Sequence, residues 1–338
     1  MEKKEYATVD IIKFLFAIMI VLLHSDLLGG GTQNEYRIQI TIFALIVPYF
    51  FIASGFFLGK KLSTQKKIEE EKTAIVASLK KFVRLYIIFG GWYLFCNVAK
   101  ALLVESNKLE SIGILFHTLL VETPGGAIWY VYTLIWAMVI LYIIRRKKTS
   151  FVLLSIVFFC TYLFGSVFFM KSYSNCFLQS LYRKYFLADR NLLFFGVYIF
   201  GGIALGYNVF DKINLSRTQK ITGVISFVIY IVYGLNRVNF DSVLGTVLFA
   251  GIKCAACFLL FVLSLNIKIV TKKALYYRKM SMVLYFTHWN FIYLFLIAKR
   301  VVKVNRVILS LMCTALVVLF AEFIVKYKNG KFFRILFG

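Results

Sequence analysis

Acidic residues are scarce in this chain. Its 338 residues include 15 Asp and Glu against 40 Lys and Arg, a formal charge of +25, and only 2 prolines and 3 histidines. Charged residues make up 16 % of the chain, where soluble proteins carry ~25 %. That leaves too little polar surface to wrap a water-soluble body, so the two or three soluble domains suggested by length alone are excluded. No Pro/Ser-rich linker, second soluble domain or internal repeat is visible, and the composition is neither disordered, collagen-like nor a disulfide scaffold. The positive excess does not point to nucleic acid as a partner. A basic binder needs its charges on one solvated patch, and here they fall in short clusters between apolar runs.

Apolar residues are abundant, at 61 % of the chain. A helix needs ~20 mostly apolar residues to cross ~30 Å of hydrocarbon. Ten stretches qualify, at roughly 10–28, 38–59, 82–104, 127–144, 151–170, 191–210, 219–235, 244–264, 280–298 and 307–325. A spanning sheet would need alternation and closure, which continuous apolar runs do not offer. The first span is too long for a signal peptide and is followed by no small-residue cleavage site. The expected fold is therefore all-α: one multi-pass transmembrane helical bundle over 1–338, in the cell membrane and in contact with its lipids. With the N-terminus inside, the inner segments carry 27 Lys and Arg and the outer ones 12. This bias predicts that both termini are cytoplasmic, although 171–190 and 299–306 run against it. The inner loop 60–81 reads as a solvated helix at the headgroups, or as a basic collar for an anionic cytoplasmic ligand.

Ionisable residues inside spans are expensive, which makes each of them a candidate site. They are Asp10, Lys13, His24, Lys253, His288 and Glu322. A neutral imidazole at His24, ~20 Å along the first helix from its cytoplasmic end, can take a proton from a hydroxyl and return it. It could equally be a structural histidine bonded to a neighbouring helix. His288 can reach the same middle zone. Asp10 and Lys13, one turn apart, can pair, as can Glu322 with Lys326. Lys253 either binds an anionic group or pairs across helices. Glu122, Trp129 and Tyr130 flank a Pro-Gly-Gly turn and read as an interfacial aromatic belt or as a site. Cys254 and Cys257 form a lone C-x-x-C without further metal ligands nearby, so buried inert thiols and no metal are expected. Gly202 and Gly206 suggest a close helix contact.

Several of these features occur together in one family. VDIIKFLFAIMIVLLHS, with Asp10, Lys13 and His24, resembles the first-helix signature of the acyltransferase 3 membrane proteins. PYFFIASGF, with Ser54 and Gly55, resembles their second-helix S-G-F stretch. LKKFVRLY, with Lys81 and Arg84, is similar to the basic entrance to helix three, and IWYVYTL to the L-W-Y/F motif. SMVLYFTHWNF, with Tyr285 and His288, is similar to the S-Y-x-x-Y-L-x-H-W segment, and LFAEFIVK echoes the final I-E stretch at Glu322. Lys13 and Lys81 replace commoner arginines, so phosphate contacts there are by point charge.

The resemblance implies transfer of an acyl group, usually acetyl from acetyl-CoA or another acyl-CoA, to an extracytoplasmic hydroxyl acceptor on a cell-envelope sugar, lipid or related molecule. It implies His24 as base or proton shuttle, and Asp10, Lys13, Lys81 and Arg84 as the donor-binding group. Ser54, Glu122, Trp129, Tyr130, Lys253, Tyr285, His288 and Glu322 would bind substrate. A variant of the family is the membrane domain of vancomycin-resistance serine/alanine racemases, which implies an antibiotic-resistance setting and a fused or associated soluble domain. The alternative is a transport module for a small polar solute such as serine; a purely structural bundle is the third reading. Lys13 and His24 share a helix face, being ~1100° and ~16 Å apart. That rise is comparable to the ~15 Å of an extended pantetheine arm.

Overall fold

The computed structural model describes residues 6–29, 31–104, 127–145, 150–168, 191–209, 214–236, 242–301 and 305–327. Regular structure among them is helical throughout: α1 (Ala7–His24), α2 (Gln33–Thr41), a 3-10 turn (Phe43–Leu45), α3 (Ile46–Ser63), α4 (Ile68–Val104), α5 (Ile128–Arg145), α6 (Phe151–Phe168), α7 (Leu192–Ala204) with a π-helical turn (Leu205–Val209), α8 (Arg217–Asn236), α9 (Val243–Asn266), α10 (Ala274–Val301) and α11 (Arg306–Tyr327). In hydrocarbon a helix satisfies its own backbone groups, which is why apolar runs of this kind fold so. Five helical stretches among the described residues are long and apolar enough to cross a membrane: 7–24, 33–63, 217–236, 243–266 and 306–327. Shorter apolar helices occupy 128–144, 151–167 and 192–208.

Three elements differ from their sequence-based outlines. The first helix stops at His24, four residues before the expected end, because Asp26 turns the backbone into the left-handed region at φ 71°. Aspartate is among the few non-glycine residues that tolerate this conformation. The second span is broken. A capping box closes the start of α2, in which the Thr32 hydroxyl accepts from the Glu35 amide and the Glu35 carboxylate accepts from the Thr32 amide. The chain then passes through the 3-10 turn before α3 starts, with Pro48 in the first turn of α3, where its missing N–H has no intrahelical role. The segment 60–81, read as a solvated helix, is mostly helix, and what differs is that it is continuous with the third span. It turns at 64–67 and then runs without interruption through the 37 residues of α4, ~55 Å at 1.5 Å per residue, with Glu69, Glu70 and Glu71 favouring its N-terminus.

The residues group into two compact units, Met1–Ser54 with Val209–Phe337, and Gly55–Asn208 with Gly338. In the first, α1 packs on α10, α11 and α9, α10 on α11, and α8 on α9 and α2. Phe14 meets Tyr277 near the start of α1 and α10, with ring centroids 5.3 Å apart, and His24 meets His288 further along both. These two helices therefore run in the same direction. Polar bonds tie the unit together. The Thr8 hydroxyl donates to the Ile267 carbonyl and accepts from the Ile269 amide. The buried Tyr49 hydroxyl donates to Ser264 at 2.9 Å, and Tyr230 donates to the Thr41 carbonyl at 2.9 Å.

The second unit is held by ring packing and by glycine. Phe158 stacks on Phe200, with centroids 4.7 Å apart, and Tyr162 packs edge-on against Phe194. Gly55, Gly59 and Gly206 let α3 and the α7 region approach backbone to backbone. A Cβ at Gly55 would stand 2.1 Å from the Ile199 carbonyl oxygen, one at Gly59 2.2 Å from that of Ile203, and one at Gly206 2.2 Å from that of Phe56. One polar bond in this unit stands out: Tyr207 donates to the buried Glu71 at 3.0 Å.

Candidate active site

The seam between α1 and α10 in the first unit gathers chemistry that the sequence had separated. Near its start, Asp10 is fully buried and Arg278 grips its carboxylate: Nε donates to both oxygens at 3.0 and 3.1 Å, and Nη2 donates to Oδ2 at 2.7 Å. The partner named for Asp10 from sequence was Lys13. The bonds seen here run to a guanidinium on α10, so the cation that Asp10 holds at the start of the seam is Arg278. Lys13 is half-buried one turn along α1.

At the far end of the seam, three rings meet. His24 ends α1 and is exposed. Its ring stacks on that of His288, with centroids 5.6 Å apart and planes 16° apart, and lies 4.8 Å from the Trp289 ring. His288 is 1 % exposed. Its Nδ1 lies 3.1 Å from the Leu284 carbonyl. A carbonyl only accepts, so Nδ1 carries the hydrogen and Nε2 the lone pair. Among the described residues, neither His288 Nε2 nor Trp289 Nε1 has a hydrogen-bond partner, and both atoms are buried. Tyr285 adjoins His288 with centroids 6.1 Å apart, and Phe50 of α3 adjoins Tyr285 at 5.8 Å. Next to His24, the Ser25 hydroxyl meets that of Ser310 on α11 at 2.6 Å. This bond fixes the end of α1 against a third helix.

The remaining sequence candidates are spread over both units. Ser54 is half-buried on α3, and Lys253 is half-buried on α9 beside the buried Cys254. Glu322 pairs with Lys326 at 2.7 Å on α11. Trp129 and Tyr130 belong to the second unit, where the Trp129 ring packs 5.1 Å from Phe195. Lys81 and Arg84 are exposed on α4 in that unit as well. Partial desolvation, then the like charges of Arg84 and Lys61, hold the Lys81 ammonium below the usual lysine range. Glu122 lies outside the described residues.

Sequence reasoning missed Arg278 and Trp289. The only signal for Arg278 was the basic richness of 265–281. Trp289 stood inside a quoted motif without a role, since its unpartnered N–H is visible only in three dimensions.

A protein-family model described as an acyltransferase domain, acyltransferase 3, matches residues 6–326. An amino-acid racemase of Enterococcus faecalis is 27 % identical over 242 residues, covering 67 % of this chain and 31 % of that relative. The match thus takes in under a third of the relative's length. No solved structure matches. Apolar helices long enough to span a bilayer and a family match over nearly the whole length lead to one conclusion: the chain belongs to the acyltransferase 3 family.

Proposed function

We propose that the enzyme moves an acyl group, acetyl in the simplest case, from cytosolic acyl-CoA to a hydroxyl of a cell-envelope or small polar acceptor. The observation that carries this reading is the α1–α10 seam, with basic residues at its start and an exposed imidazole stacked on a buried one further along. His24 acts as base or proton shuttle, work that typically contributes ~10²–10⁴ in rate. Lys13, with Arg278 beside Asp10, draws the donor's phosphates. The ~16 Å rise from Lys13 to His24 matches an extended pantetheine arm and brings the thioester towards the imidazole. Lys81 and Arg84 add long-range attraction for an anionic donor.

The parallel course of α1 and α10 is consistent with a multi-pass chain in the cell membrane in which they are the first and ninth of ten spans with cytoplasmic termini. The partial match to an amino-acid racemase supports a fused or associated soluble domain as partner; an antibiotic-resistance setting rests on the motif resemblance alone.

The test is transfer of labelled acetyl from acetyl-CoA into envelope material by membranes holding the full chain. His24→Ala should lower the rate by ~10²–10⁴ while the detergent-extracted protein stays monodisperse. Equal rates in variant and wild type would sink the assignment.

One observation favours a second reading. The second span breaks between Thr41 and Ile46, and transporters place solute sites at discontinuous helices. Uptake of labelled serine into vesicles, persisting in His24→Ala, would favour transport.

A further inference from the structure

Among the described residues, two buried polar atoms in the ring cluster lack a partner, and they are complementary. With Nδ1–H given to the Leu284 carbonyl, His288 Nε2 is an acceptor. Trp289 Nε1–H is a donor only. Unpaired buried groups are rare in native structures and call for an explanation. Here the two sit on consecutive residues of α10, with ring centroids 5.9 Å apart, and both rings touch that of His24. An O–H group, of an alcohol or of a water, can satisfy one donor and one acceptor at the same time. A carbonyl would leave Nε2 unpaired, and an ammonium would leave the indole N–H unpaired.

We infer that His288 Nε2 and Trp289 Nε1–H form a two-point clamp for the acceptor's hydroxyl, whose O–H donates to Nε2 while its oxygen accepts from the indole. The clamp deepens the acyl-transfer reading and rests on it for the identity of the alcohol, though not for the complementarity of the pair. Binding makes and breaks no covalent bond. Rotation of the hydroxyl about its C–O bond then turns its proton from His288 towards the neighbouring His24, the base of the proposed reaction. Trp289 thereby becomes a substrate-binding residue, and specificity for an alcohol over an analogue lacking the hydroxyl follows, because that analogue leaves both atoms unpaired.

The test uses the full chain in nanodiscs with ¹⁵N-tryptophan, the Trp289 indole signal being identified by its loss in Trp289→Phe. Methanol is the probe, small enough to reach any cavity that accepts a hydroxyl; acetonitrile, an acceptor without an O–H, is the control. The clamp predicts a saturable downfield shift of the Trp289 N–H with methanol that exceeds the shift with acetonitrile, which can accept from the indole but cannot donate to Nε2, and that falls to the acetonitrile level in His288→Phe. No shift beyond that with acetonitrile, or the same shift in His288→Phe, overturns it and leaves the pair to water alone. In the transfer assay, Trp289→Phe keeps the ring and loses the N–H, so the rate should fall ~10-fold or more with acetyl-CoA binding unchanged. Wild-type transfer in Trp289→Phe also overturns the clamp. If wild-type membranes transfer no acetyl, the acyl-transfer reading fails, while the indole titration still decides the clamp.

Discussion

The two units solve helix packing by different means. The first, which holds the histidines, binds its helices through buried polar groups: Asp10 to Arg278, Tyr49 to Ser264, Thr8 to the backbone around Ile267, and Ser25 to Ser310. The second relies on backbone contact at Gly55, Gly59 and Gly206 and on the Phe158–Phe200 and Tyr162–Phe194 ring pairs. In lipid, apolar side chains gain little by leaving one apolar surface for another, so close packing and hydrogen bonds are the forces that remain. Close packing tolerates no growth at its contact points but carries no chemistry. Polar bonds tolerate isosteric exchange and cluster where function requires ionisable groups. On the function proposed above, the first unit carries the chemistry, and the second, apart from the Tyr207–Glu71 bond, is framework.

The sharpest way to break this comparison is a change of volume in the second unit. Gly55→Val puts a branched side chain where a single Cβ already stands 2.1 Å from a backbone carbonyl oxygen. A backbone atom cannot swing aside as a side-chain tip can, so the expected destabilisation is about 3 kcal/mol or more, the upper end for overpacking. The apparent melting temperature in detergent should fall by several degrees and extraction yield should drop. Gly91, where an added Cβ meets nothing within 4 Å, supplies the control: Gly91→Ala should leave both unchanged. Equal losses for the two variants would show that the α3–α7 contact is not a rigid framework.

The second prediction concerns the ion pair of the first unit. Asp10→Ala leaves Arg278 without its buried carboxylate. The guanidinium side chain is 39 % exposed and can turn towards water, so the expected cost is about 1–2 kcal/mol rather than the ~3–5 kcal/mol of a fully enclosed pair. The double variant Asp10→Asn with Arg278→Gln keeps shape and hydrogen bonding without charge and should recover most of the loss, with a non-additive coupling of about 1 kcal/mol. Thermal unfolding of wild type, Asp10→Asn, Arg278→Gln and the double variant in detergent measures the coupling. Strict additivity would mean that the pair is not a unit.

The class of fold was legible in composition alone: too few charges for a soluble body, and apolar runs of helical length. His24 and His288 were legible because ionisable residues in apolar runs are rare, and the structure stacks their rings. Contacts between remote residues were not legible. Asp10 and Arg278 lie 268 positions apart, and no local pattern joins them, so the nearer Lys13 looked like the natural partner. The early end of α1 depends on the left-handed turn at Asp26, which hydropathy does not register because Leu27 and Leu28 continue the apolar run. Gly206 was legible as half of a close contact. The other side of that contact, at Gly55 and Gly59, was not legible: Gly55 stood in a motif beside the substrate candidate Ser54, and a glycine looks the same in sequence whether it faces a ligand or a helix. The unpartnered atoms of His288 and Trp289 could not be read at all, since an absence of bonds is a property of the folded state.

The smallest predicted effect sharpens the comparison from the side of the second unit, where Lys81 is a charge outside the apolar framework. Partial desolvation, with Arg84 and Lys61 adding like-charge repulsion, holds its folded-state titration below that of an unfolded lysine, ordinarily ~10.4. The sign follows from linkage. Below the lowered folded value both states are charged, and the fold carries the full cost of its ammonium. Between that value and the ordinary one, the folded amine is neutral while the unfolded one still binds its proton, so the cost is relieved and stability rises with pH. Donor attraction runs the other way, because a neutral amine no longer draws a phosphate. As pH rises through this window, the wild type should gain slightly in apparent melting temperature while its affinity for coenzyme A falls about two- to threefold, a modest change because an exposed charge in high dielectric contributes little. Lys81→Arg stays charged throughout, and both changes should vanish in it. The same alkaline loss of coenzyme A binding in Lys81→Arg as in wild type would remove Lys81 from the donor-binding group and leave the second unit as framework alone.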